Sequence, residues 1–177
     1  DIKTLLAEGF RFFGENRVQE ARQKYEDLQN YKDLRVHMIG PLQTNKVKIA
    51  LKIFDTIQTL DRYTLVDEVS RVLSKNRCKT KEFYIQVNIG DEKQKSGVSL
   101  NELSELYYYS LKKKLNIVGL MCIPPNVGNP SSYFEEMKKV RDKINKKLNL
   151  SMGMSNDYKI ALNYESNIIR VGSLIFS

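Results

Sequence analysis

The chain has no tryptophan, one histidine (His37) and two cysteines (Cys78 and Cys122) in 177 residues. A zinc centre needs several Cys or His ligands held close together. Neither cysteine sits in a Cys-x-x-Cys pair, which argues against such a site. Two isolated cysteines build no disulfide framework and read as reduced thiols in a cytoplasmic protein. No apolar run approaches the roughly 18 residues of a membrane span. The start of the sequence lacks the charged, apolar and small-residue succession of a signal peptide. Long Pro/Gly/Ser linkers and low-complexity tracts are missing as well, so one domain is expected over residues 1–177. The first residue is Asp1 rather than Met, so the sequence is expected either to start inside a longer product or to lack its true beginning.

Cations outnumber anions, 29 Lys and Arg against 21 Asp and Glu, for a net charge of +8. The lysines are spread along the chain, with short runs at Lys112–Lys114 and Lys146–Lys147. They read as solvated faces of helices. No nucleic-acid-binding motif accompanies them, so neither nucleic acid nor a membrane is expected as a partner.

Short β-like runs alternate with helical runs throughout, the pattern of a parallel sheet covered by helices. Strand character appears at Phe10–Gly14, Arg35–Gly40, Thr56–Leu60, Phe83–Ile89, Ile117–Ile123, Leu150–Met154 and Ile168–Ser173. Several of these are continuous apolar runs, as strands buried on both sides require. Apolar stripes at helical spacing run through Val18, Ala21, Tyr25 and Leu28, and through Leu65, Val66, Val69, Val72 and Leu73. Two more run through Leu103, Leu106, Tyr107 and Leu111, and through Tyr133, Met137, Val140, Ile144 and Leu148. Asp61, and Ser99 or Asn101, are plausible helix caps. The chain opens with a helix-like segment, Asp1–Gly9, so an eighth strand is expected before residue 1. Eight strands close a β/α barrel, the favoured architecture. An open doubly wound sheet is the alternative, but no G-x-G-x-x-G follows any strand.

In such a barrel, chemistry sits where strands end. At those ends stand Phe13-Gly14-Glu15-Asn16, then His37 through Lys46, then Val87-Asn88 with the charged loop to Lys95-Ser96-Gly97. Asn16 offers an amide to a ligand oxygen, or simply caps a helix. His37 has no carboxylate partner in view and reads as packed rather than catalytic. Lys95 either approaches an anion or belongs to a mobile loop. Cys122 lacks a nearby base and is not a nucleophile. Ser151 through Asp157 ends a strand at a helix start, where amides and a hydroxyl suit an anion. Arg170-Val171-Gly172-Ser173 repeats the theme one unit later. Loops after the last two strands of such barrels commonly hold phosphate.

Taken together, these motifs resemble the pyridoxal phosphate homeostasis proteins, single-domain relatives of the N-terminal barrel of alanine racemase. The resemblance runs through Phe13-Gly14-Glu15-Asn16, His37-x-Ile39-Gly40-x-Leu42-Gln43-x-Asn45-Lys46, Val87-Asn88 with Lys95-Ser96-Gly97, Gly119-Leu120-Met121, Met152-Gly153-Met154-Ser155-x-Asp157 and Arg170-x-Gly172-Ser173. It implies an alanine racemase-type (β/α)8 barrel, here without its first strand. It implies pyridoxal phosphate as ligand, with phosphate at Ser155, Gly172 and Ser173, Arg170 at the pyridine nitrogen and Asn16 close by. Family members hold the cofactor's aldehyde through a Schiff base to a lysine ending the first strand. That segment would fall just before Asp1, and Lys3 does not match it. Ser173 stands where the family usually has Thr, and Ser177 where it usually has Gly. The implied role is a non-enzymatic cofactor carrier, a cytoplasmic monomer that hands the cofactor to apo-enzymes. The alternative is a cofactor-dependent amino-acid racemase, for which no catalytic residue is identified.

Overall fold

Short, largely apolar runs become, among the described residues, seven parallel strands whose order along the sheet is their order along the chain. The computed structural model describes residues 2–28, 31–172 and 175. Helix α1 (Ile2–Ala7) leads into β1 (Phe12–Glu15), α2 (Val18–Tyr25), β2 (Arg35–Met38), α3 (Val47–Ile53), β3 (Thr56–Leu60) and α4 (Tyr63–Lys75). Then follow β4 (Glu82–Val87), α5 (Leu100–Lys112), β5 (Ile117–Cys122), α6 (Pro130–Asn145), β6 (Asn149–Met154), α7 (Tyr158–Asn163) and β7 (Ile168–Arg170). The sheet curls into a nearly closed barrel. Among the described residues β1 pairs only with β2, and β7 only with β6, so two strand edges stay open as expected. Phe12, on the first of these edges, is 74% exposed.

Successive side chains along a strand point to opposite faces. One face carries Val36, Met38, Ile57, Ile85, Leu120 and Leu150 into a single apolar core beneath the helices. The helical stripes read from the sequence supply its other half: Val18, Ala21, Leu65, Val66, Val69, Val72, Leu103 and Leu106 are buried. Burying a side chain of this kind contributes about 1.5–3 kcal/mol, so the barrel is held chiefly by its outer layer. Leu111 departs from its expected stripe and is 41% exposed, because α5 ends one residue later. The opposite face of the sheet turns His37, Gln58, Tyr84 and Ser151 toward the barrel interior.

One expected cap holds and one does not. Ser99 is the cap of α5: its hydroxyl accepts from Glu102 N at 3.3 Å and donates to the Glu102 carboxylate at 2.6 Å. Asp61 does not cap α4; Arg62 holds that position, and the Asp61 carboxylate instead pairs with Arg62 at 2.6 Å. Helix α6 is fixed by Arg141, which is 5% exposed. Its guanidinium donates to Leu148 O at 3.2 Å and pairs with Glu165 at 2.6 Å. That pair ties α6 to the turn leading into β7.

Candidate functional site

The ends of β6 and β7 enclose a cleft of about 330 Å³ lined by Asn126, Met154, Ser155, Asn156, Asp157, Arg170 and Gly172. That volume lies at the lower end of the small-ligand range, roughly 300–1,000 Å³. Three of the predicted residues, Ser155, Arg170 and Gly172, therefore meet at one place although 15 or more positions separate Ser155 from the other two. Ser173 lies outside the described residues. Asn16 is not among the residues lining this cleft. It stands exposed just past β1, with its backbone against Gly40, where a Cβ would come within 2.2 Å of Asn16 O.

The turn after β6 is shaped by Gly153 and Asp157. Gly153 adopts φ +97°, which L side chains rarely adopt, and a Cβ there would lie 2.7 Å from Ala161 Cβ. The Asp157 carboxylate accepts from Met154 N at 2.6 Å, folding residues 155–157 back over the strand end. This carboxylate is the only acidic side chain in the lining, and it is engaged with its own loop. The remaining donors are the Ser155 hydroxyl, two Asn amides and the Arg170 guanidinium, a set suited to an anion. Among the described residues, a Cβ built on Gly172 meets nothing within 4 Å, and Gly172 lines the cleft.

Arg170 is held from behind. It donates to Ser151 Oγ at 2.7 Å and to Cys122 O at 2.7 Å. Burial moves its guanidinium below the usual arginine range, while Cys122 and Asp157 act in the opposite direction. Ser151 in turn donates to Gln58 Oε1 at 2.6 Å, and Gln58 Nε2 lies 2.8 Å from His37 Nδ1. His37 is thus a packed, hydrogen-bonded residue, as its sequence context indicated. Its pKa is lowered, first by burial, with Asp55 opposing. Phe12 packs edge-on against its ring at 6.2 Å. Gln58 and Ser151 were not singled out in the sequence as ligand or support residues. The signal available was a glutamine inside Thr56–Leu60, a strand buried at every position.

Two other strand ends play local structural parts. Lys95 pairs with Glu92 at 2.5 Å and reaches Pro124 O at 3.3 Å, and it is not among the residues lining the cleft. Asn88 closes the same loop by bonding Glu92 through both its amide oxygen and nitrogen. Cys122 is fully buried and its thiol is pushed up to about 12 by desolvation, so it is no nucleophile. Among the described residues no group of three or more His, Cys, Asp and Glu is placed to hold a metal ion.

Known proteins resemble this chain in sequence and in fold. The sequence profile of the alanine racemase N-terminal domain matches residues 2–177. A pyridoxal phosphate homeostasis protein of Aquifex aeolicus is 41% identical over 95% of this chain and 77% of its own length. One from Buchnera aphidicola is 36% identical over 99% of this chain and 80% of its own. The structure of PipY from Synechococcus elongatus without PLP superposes with a TM-score of 0.89 at 32% identity, covering 99% of this chain and 86% of that one. The same protein with PLP bound gives 0.86 at 31% identity, with the same coverage. An alanine racemase of Clostridium difficile, at 12% identity and a TM-score of 0.71 over 98% of this chain and 47% of its own, shares the fold. By profile, by sequence and by structure, the chain belongs to the pyridoxal phosphate homeostasis protein family within the alanine racemase N-terminal domain family.

Proposed function

We propose that this single-domain chain binds pyridoxal phosphate as a non-enzymatic carrier in intracellular vitamin B6 and amino-acid homeostasis. The observation that carries the reading is the convergence of Ser155, Arg170 and Gly172 on one cleft, in a family where PipY has been solved with PLP bound. Phosphate is assigned to the 155–157 turn and Gly172, with the Ser155 hydroxyl as donor. Ser173 adds a second hydroxyl in this reading, and Asn16 contributes from the end of β1. Arg170 faces the pyridine nitrogen. Arginine at that atom, in place of a carboxylate, keeps the nitrogen unprotonated and weakens the cofactor as an electron sink. That favours holding over chemistry. The carrier is further proposed to act as a cytoplasmic monomer, with apo-enzymes as recipients.

A racemase needs a group that moves a proton at the ligand's reacting carbon. The one imidazole, His37, is not among the cleft-lining residues, and its Nδ1 is taken by Gln58. The carrier reading is therefore preferred. Among the described residues no helix is long and apolar enough to cross a membrane.

Titrating the chain with pyridoxal phosphate, followed by ligand absorbance and equilibrium dialysis, tests the proposal. Saturable binding is expected, much weaker for pyridoxal without its phosphate. Ser155→Ala and Arg170→Lys are each expected to weaken binding about tenfold, the worth of one hydrogen bond to a charged group. A chain that ignores pyridoxal phosphate, or binds it equally well after both substitutions, refutes the reading.

A further inference from the structure

A file of polar side chains crosses the barrel interior on four strands. From β7 to β2 it reads Arg170 Nη1 to Ser151 Oγ at 2.7 Å, Ser151 Oγ to Gln58 Oε1 at 2.6 Å, and Gln58 Nε2 to His37 Nδ1 at 2.8 Å. Gln58 and Ser151 are completely shielded from solvent, so unmet hydrogen bonds there are costly. A guanidinium carries only donors. Ser151 must therefore accept from Arg170, and its own proton goes to the Gln58 oxygen. Gln58 is then left with its NH2 group toward β2, and His37 Nδ1 must accept. The neutral imidazole keeps its proton on Nε2. One charged end thus dictates the direction of every link.

We propose that Ser151, Gln58 and His37 are positioning residues for Arg170, a one-way relay of hydrogen bonds through which the two ends of the barrel interior sense each other. The relay orients the guanidinium together with Cys122 O, and leaves its remaining N–H groups for the cleft. It rests on the reading of Arg170 as the ring-nitrogen contact. Ligand at Arg170 repolarises the first link, and each later link follows, because buried hydrogen-bonded groups polarise one another.

His37 is the only histidine, so imidazole ¹⁵N signals in this chain have a single source. In ligand-free protein at neutral pH, nitrogen-detected NMR is expected to show the Nε2–H tautomer. Arg170→Lys keeps the charge but loses the fork, so it is expected to shift the His37 signals. Ser151→Ala removes one hydroxyl and is expected to do the same. His37 signals unmoved by both substitutions overturn the relay. If Ser151→Ala fails to fold, Arg170→Lys decides this arm. Adding pyridoxal phosphate is expected to move the His37 signals in the unsubstituted chain. Ser151→Ala should lose that response and bind about tenfold more weakly. Binding without any His37 response overturns the relay and leaves the carrier reading standing. A His37 response to Arg170→Lys with no binding of pyridoxal phosphate supports the relay and overturns the carrier reading.

Discussion

Replacing Gly153 with alanine should destabilise the protein through two separable terms. The first is conformational: at φ +97° an L residue is strained, at a cost of about 1–2 kcal/mol. The second is steric, because the new methyl would stand 2.7 Å from Ala161 Cβ and 3.0 Å from Tyr158 Cα. Neither is the free end of a flexible side chain, so relief requires α7 to shift, and overpacking of this kind costs about 1–3 kcal/mol. The expected loss is about 2–5 kcal/mol, a large share of the roughly 5–15 kcal/mol that holds a domain together. The control is built into the same chain. Gly128 has φ +88° and would meet nothing within 4 Å, so Gly128→Ala meets only the conformational term. Urea unfolding followed by far-ultraviolet circular dichroism suits a chain without tryptophan, and midpoints at constant slope convert to free energies. Gly153→Ala should fall below Gly128→Ala by at least about 1 kcal/mol and should weaken pyridoxal phosphate binding, because α7 and the 155–157 turn move together. Equal losses in the two variants would refute the assignment of Gly153 as the residue that seats that turn.

Gly172→Ala should separate binding from stability. Its methyl meets none of the described residues within 4 Å, so unfolding should change by no more than about 0.5 kcal/mol while pyridoxal phosphate affinity, measured by dialysis, drops. Alkylation followed by intact mass should modify Cys78 in native protein and leave Cys122 untouched until denaturant is added, since burial keeps the Cys122 thiol protonated to about 12. Stability should also depend on pH through His37. Its folded pKa is lowered, so the unfolded state takes up the proton first. The His37 contribution is complete above the unfolded value near 6.5 and is lost as pH falls from there through the folded pKa. His37→Gln should flatten that part of a stability–pH curve taken between about pH 7.5 and 5.

The strands were legible because burial on both faces demands continuous apolar runs. Thr56–Leu60 is a strand at the bounds read from sequence, and Ile117–Ile123 overruns its strand by one residue. Errors gathered at chain segments where tertiary pairing decides. Ile168–Ser173 reads as one strand, but the strand observed is Ile168–Arg170; Val171 and Gly172 lie outside it, and Ser173 lies outside the described residues. Helix α3 escaped notice because its seven residues are too few for a stripe to show. In the site, Ser155, Arg170 and Gly172 could be grouped because short motifs next to strand ends name them. Ser151 and Gln58 could not, since their significance comes from lying 93 positions apart and 2.6 Å from each other. Arg141 was hidden for a similar reason: it stands between Met137 and Ile144 on the apolar side of its helix, and only the fold brings Leu148 O and Glu165 to it.

The directed file of hydrogen bonds across the barrel also bears on how this sequence can change over time. At a surface, four polar positions would drift independently. Here the donor at each link is set by the link before it, so a substitution that reverses one member leaves two donors or two acceptors facing each other out of reach of water. Gln58→Leu, for example, leaves the Ser151 hydroxyl without its acceptor and His37 Nδ1 without its donor, and becomes acceptable only if positions 151 and 37 change with it. Positions 37, 58, 151 and 170 are therefore expected to be inherited as a set, with changes arriving in matched pairs. Gly172, where a Cβ would meet none of the described residues within 4 Å, carries no such matched partner among them.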